Sequence, residues 1–202
     1  MINGLEDLRS SMVIISGGAM FFLVVLLFAY FFHYLILSAV LYYYYLIVSL
    51  IPYLVIAVFT FRGFKGMTDY NKKYFIGIIG SIFLFISYLL NLVYLVSETI
   101  KRQPIVFKVI EVRAIKGFVI FYSLSLPVPI VLSVLLGLLG IGITMVALFL
   151  LGNSFASLKL KIGSIASLIG FILLVVPVLG AIVIVLSSLL LYLGLGDVEF
   201  LE

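Results

Sequence analysis

Between Met12 and Phe61 the chain has no Asp, Glu, Lys or Arg. As a single helix that stretch would measure roughly 75 Å, against about 30 Å of bilayer hydrocarbon. It must fold back once, which predicts one span over residues 11–33 and a second over 38–61. The turn falls near His33 and Ser38, and Tyr30, Tyr34 and Tyr42 to Tyr45 lie around it. Tyrosine favours the boundary between oil and water, so these residues and His33 read as an interfacial belt. Residues 62–73 form the first charged stretch and read as a loop, with Gly63 and Gly66 as breakers. A third span is predicted over 74–96, a fourth over 130–151 and a fifth over 162–193. The apolar runs cover every face, which suits helices that close their backbone hydrogen bonds internally and not barrel strands that alternate.

Residues 97–126 lie outside the core as an interfacial or extramembrane segment and mix charge with apolar positions. Pro104 is suited to start a helix lying in the interface. A small hairpin over the β-rich residues 106–112 is the alternative. The paired Pro127 and Pro129 break the chain before span four. Span five is long for one crossing, and Pro177 within it predicts a kink, with a re-entrant break at Pro177 and Gly180 as the alternative. Asn3 and Glu6 have the spacing of a helix cap leading into span one.

Composition agrees with this pattern. Apolar residues make up 66% and charged residues 10%, too few charges to cover a soluble surface. The fold class is therefore all-α: a polytopic transmembrane bundle of about five helices, four to six being possible, as one domain over 1–202. The net charge of +4 sits in short basic clusters beside apolar runs. That placement points to membrane lipids and topology, not to nucleic acid. A cytoplasmic N-terminus puts Arg9, Arg62, Lys65, Lys72, Lys73, Lys159 and Lys161 inside. Lys101, Arg102, Lys108, Arg113 and Lys116 then fall outside, together with the acidic C-terminal tail.

Candidate chemistry is sparse. There is no Cys and only one His, so no metal site, cofactor or thiol nucleophile is expected. Neither a zinc-protease nor a serine-hydrolase motif occurs, and no span holds a carboxylate pair, so no enzymatic activity is expected. Two stripes stand out instead. Ser133, Gly137, Gly140, Thr144 and Ala147 repeat every three or four residues on one helix face. Small residues at that period let a neighbouring helix approach. In span three a stripe begins at Gly77, Gly80 and Leu84 and becomes polar through Ser87, Asn91, Tyr94 and Glu98. An amide in lipid must pair, which directs Asn91 to another helix or to a wet vestibule. The entries to spans three and five also look alike: Lys73 to Gly77 aligns with Lys159 to Gly163, Ser81 with Ser167 and Phe85 with Phe171. That alignment predicts two parallel hairpins, spans two–three and four–five.

Several elements together resemble a family of multi-pass membrane proteins of unassigned function from Sulfolobus-type crenarchaea. They are Gly4-Leu5-x-x-Leu8-Arg9, Phe61-Arg62-Gly63-Phe64, Tyr74-Phe75-Ile76-Gly77, Leu158-x-x-Lys161-Ile162-Gly163 and Tyr192 to Asp197. The resemblance implies a five-helix or similar bundle in an archaeal plasma membrane and carries no activity. The expected role is a scaffold or accessory subunit, forming a homo-oligomer or joining a membrane complex. A small-solute channel or transporter is the alternative.

Overall fold

The computed structural model describes residues 2–31, 50–100, 113–115, 118–120 and 128–199. The expected turn at His33 and Ser38, the Tyr42 to Tyr45 belt, the helix from Pro104 and the hairpin over 106–112 lie outside the described residues, as do the side chains of Tyr30 and Glu98.

Six helices are described: α1 (Ile2–Phe31), α2 (Leu50–Tyr70), α3 (Phe75–Ile100), α4 (Val128–Ser154), α5 (Leu158–Ile172) and α6 (Pro177–Glu199). All but the 15-residue α5 are long and apolar enough to cross a membrane. Between α3 and α4 lies a short antiparallel ribbon, β1 (Arg113–Ile115) and β2 (Phe118–Ile120), with Ala114 opposite Val119. Packing runs from each helix to the next and returns from α6 to α1, so the six close into an all-α ring.

Several boundaries differ from the sequence reading. Residues 62–70 are the last turns of α2, not a loop. Gly63 does not break the helix, because it is where α1 and α2 touch. A Cβ there would lie 2.9 Å from the Gly4 carbonyl oxygen. The true link is Asn71 and a 3₁₀ turn (Lys72–Tyr74), in which Asn71 Oδ1 accepts the Lys73 N–H at 3.1 Å. Helix α1 is already formed at Ile2, so Asn3 lies inside the first turn and Glu6, Asp7 and Arg9 ride on the helix. Charges near a helix end can stay helical because the helix projects into the headgroup layer. At α4, Pro129 occupies the first turn, where a missing N–H breaks no intrahelical bond.

The largest correction concerns residues 162–193. They form two antiparallel helices, not one kinked span. After α5 the chain makes a 3₁₀ turn (Leu173–Val175), closed by the Val176 N–H on the Leu173 carbonyl at 2.8 Å, and Pro177 starts α6. The helices return along each other, with Gly170 against Ile184, Gly163 against Leu191 and Gly194 against Leu160. Gly180 permits the reversal, since a Cβ there would sit 2.5 Å from the Leu174 nitrogen. The start of α1 and the end of α6, the described ends of the chain, therefore lie at the same end of the bundle, where Gly196 faces the Arg9 guanidinium. The expectation of a C-terminus opposite the N-terminus is corrected accordingly.

The buried positions repeat around the ring. On α2 they include Thr60, Gly63, Phe64 and Met67; on α4, Thr144, Ala147, Leu148 and Leu151; on α6, Leu191, Gly194, Leu195 and Val198. The three sets have identical spacing. The other helices repeat likewise: Leu5, Leu8 and Met12 on α1; Tyr74 of the 3₁₀ turn with Gly77 and Ser81 of α3; Leu160, Gly163 and Ser167 on α5. The bundle is thus three antiparallel helix pairs in equivalent register, α1–α2, α3–α4 and α5–α6. The Lys73/Lys159 alignment read from sequence matches the starts of α3 and α5 in this repeat; the pairs differ from the expected hairpins of spans two–three and four–five, and Phe85 faces outward. The main apolar core joins Leu5, Tyr74, Leu160, Phe64, Leu148 and Leu195 at the end that holds the termini.

Candidate functional site

Polar side chains inside the spans cluster at helix seams. The small stripe of α4 is fully used within the chain. Gly140 meets α3, where a Cβ would lie 2.9 Å from both the Gly80 oxygen and the Leu84 nitrogen. Thr144 is buried and its hydroxyl donates to the Gly140 carbonyl at 2.8 Å. Ala147 is buried in the core. Ser133 meets Ser87 across the same seam.

Ser87 and Ser133 make a reciprocal clamp. Ser87 Oγ donates to the Ser133 carbonyl at 2.7 Å, and Ser133 Oγ donates to the Ser87 carbonyl at 2.9 Å. Each hydroxyl has one proton, so both are spent and the 3.0 Å approach of the two oxygens carries none. Tyr53 of α2 donates its hydroxyl to Ser87 Oγ at 3.2 Å, which binds three helices at one node. Gly137 makes room, since a Cβ there would stand 2.6 Å from the Tyr53 oxygen. Reading the sequence alone missed Tyr53. Its only signal was that two stripes each held one serine in need of a partner.

A second node joins α5 to α6. Ser167 donates to Ser187 Oγ at 2.8 Å, and Ser187 donates to the Ile184 carbonyl at 3.1 Å. Ser11, Thr60, Ser81, Ser164 and Ser188 each return a proton to a carbonyl of their own helix. Such hydroxyls are structural, because their protons are committed to backbone oxygens. Asn91 lies one turn beyond Ser87 and is half-buried, and Tyr94 continues the same face. The hydroxyl of Tyr74 is buried in the core without a hydrogen-bond partner.

Among the residues whose side chains are described, charge lies at the rim that holds the termini. There Arg62 pairs with Asp7 at 3.3 Å and Lys159 with Asp197 at 2.9 Å. The Arg9 guanidinium stands 4.5 Å from the centre of the Tyr192 ring. Lys73 Nζ donates to Ser154 Oγ. These contacts tie α1 to α2, α5 to α6, α1 to α6 and the α3 entry to α4. Among the described residues no group of His, Asp or Glu is placed to hold a metal ion. The hydroxyls of the two serine nodes bond to one another and to backbone carbonyls, so what they supply is hydrogen bonding between helices.

One apolar groove lies on the outer face of α4. It has a volume of about 400 Å³ and is lined by Ile76, Leu135, Leu138, Leu139, Gly142, Ile143 and Val146. No family model matches this chain, and no curated protein or solved structure matches it either.

Proposed function

We propose that this protein is a non-enzymatic component of the cell membrane, a scaffold or accessory subunit of a membrane assembly. The observation that carries the reading is the commitment of hydroxyls to the helix seams. The Ser87–Ser133–Tyr53 and Ser167–Ser187 nodes use their hydroxyls to lock helices together. The small-residue stripe is also consumed inside the chain, so a partner or a second copy would meet the lipid-facing surface or the charged rim. The rim carries Arg9, Arg62, Lys65, Lys72, Lys73, Lys159 and Lys161, and this supports a cytoplasmic placement of both termini. Membership of the crenarchaeal family rests on the short sequence elements that suggested it. Co-purification from native membranes under mild detergent tests the reading. A stoichiometric partner, or a defined homo-oligomer, is the expected result. A monomer with no partner, together with solute uptake in proteoliposomes, would overturn it.

The channel or transporter reading draws on one observation. Repeated units about an axis along the membrane normal are a transporter architecture. Here the axis is filled at one end by Leu5, Tyr74, Leu160, Phe64, Leu148 and Leu195. Uptake of a neutral solute that rises when Phe64 is truncated to Ala would favour this second reading.

A further inference from the structure

We propose that the seam of α3 and α4 holds one anionic phospholipid of the leaflet at the termini end, its hydrocarbon chain in the α4 groove and its phosphate at Lys72 and Lys73. The repeat singles out the groove. Gly142 lies two residues before Thr144, and the equivalent positions on α2 and α6 are Val58 and Leu189. Both present large exposed side chains. Where the other two repeats fill this place, α4 leaves it empty, and a Cβ built on Gly142 meets no atom within 4 Å. Packing does not require that glycine, unlike Gly137 and Gly140 on the opposite face of the same helix.

Size and chemistry fit a lipid chain. On α4 the lining runs from Leu135 to Val146, a rise of about 16 Å, close to the depth of one leaflet of a 30 Å core. All seven lining residues are apolar. At its termini end the groove reaches Ile76, about 5 Å along the helix from Lys73. Lys73 is anchored there by Ser154 of α4, and Lys72 beside it is exposed. Asp69, on the last turn of α2, is the described acid nearest to them in sequence. A cation at the mouth of an apolar slot selects a lipid that is both anionic and chain-bearing, whereas free phosphate lacks the chain and a neutral lipid lacks the charge.

The proposal rests on the reading of the chain as membrane-embedded, and the experiment separates the two. The full chain is purified in detergent, phosphatidylglycerol, phosphatidylcholine or diacylglycerol is added, and retained lipid is measured by native mass spectrometry. The wild type should retain phosphatidylglycerol about fivefold or more over phosphatidylcholine. Lys72→Gln should reduce that preference by about fivefold, the effect of one base near an anionic headgroup. Gly142→Leu should lower retention of phosphatidylglycerol about tenfold by filling the slot, with helicity retained and an unfolding midpoint no lower than that of the wild type. Lys65→Gln, an exposed base on α2 outside the groove, should change nothing. Retention by Gly142→Leu equal to wild type would overturn the site, as would an anion preference indifferent to Lys72. If the chain proved soluble without detergent, the membrane reading itself would fail, whichever lipid it retained.

Discussion

Gly140 and Gly142 stand on one helix two residues apart, and replacing each with alanine should act in opposite directions. A methyl on Gly140 would meet the Gly80 oxygen, Leu84 Cγ and the Leu84 nitrogen, all at 2.9 Å. Two of these are backbone atoms, so relief requires the helices to part by about half an ångström. Overpacking of this kind costs about 1–3 kcal/mol. Separation also strains the Ser87–Ser133 clamp along the same seam, whose bonds at 2.7 and 2.9 Å are worth about 0.6 kcal/mol each in a membrane bundle. Alanine regains about 0.8–1 kcal/mol over glycine in helix propensity. The net expectation for Gly140→Ala is a loss of about 1–3 kcal/mol. At Gly142 no atom lies within 4 Å, so only the propensity gain remains and Gly142→Ala should stabilise by about 0.4–1 kcal/mol. Because the chain has no Trp, unfolding in mixed micelles is best followed by far-ultraviolet circular dichroism during a titration with sodium dodecyl sulfate. If the two variants shift the midpoint equally, or if Gly142→Ala is the more damaging, the assignment of α4's faces is wrong.

Three further outcomes follow from the same geometry. Ser87→Ala and Ser133→Ala should each cost about 0.6–1.5 kcal/mol and be additive within about 0.5 kcal/mol in a double-mutant cycle, because each serine bonds the other's carbonyl and not its hydroxyl; a larger coupling would show a shared proton. Gly180→Ala should open the α5–α6 reversal, since its methyl would meet the Leu174 nitrogen at 2.5 Å and the Leu173 carbonyl carbon at 2.7 Å. The expected cost is about 1–3 kcal/mol, with faster amide exchange confined to the residues around the turn, and unchanged exchange there would contradict the account. Single cysteines at Asn3 and Asp197, in a chain without native Cys, should react with a membrane-impermeant thiol reagent from the same side of sealed vesicles. Labelling from opposite sides would exclude the α5–α6 hairpin.

Much of the bundle was legible because a bilayer imposes one length scale on every crossing. Uncharged runs mark hydrocarbon, and four of them, the first long enough for two crossings, are plain in the sequence. What they do not mark is where a helix ends. Arg62, Lys65 and Asp69 lie on α2 because a helix continues into the headgroup layer, so a charge there does not signal a loop. Gly63 was misread for a related reason. Glycine breaks a helix only where nothing repays its freedom, and here the close approach of Gly4 does. At Pro177 the sequence offered both a kink and a reversal. The pairing of Gly163 with Leu191 and Gly170 with Ile184 settles it, and such pairing is invisible to hydropathy. Both stripes were visible as spacings, yet that they face each other, and that Tyr53 joins them, follows only from the fold.

The repeat gives these details a common logic. Equivalent inward positions carry different residues of compatible bulk, as in Phe64, Leu148 and Leu195, because the close-packed core constrains volume and shape more than identity. Lipid imposes no such constraint on the outer faces, since a hydrocarbon chain accommodates Val58 or Leu189 equally well. A glycine on that face forfeits helix propensity with no helix gaining closer approach. Gly142 is therefore a departure that neither packing nor propensity accounts for, and it lies in the α4 groove, which ends beside a lysine pair. The hydroxyls of the two serine nodes are bonded within the chain, which fits the proposal that partners meet the outer surface. On the outer surface, the α4 groove and the basic rim are where this chain has something left to bind.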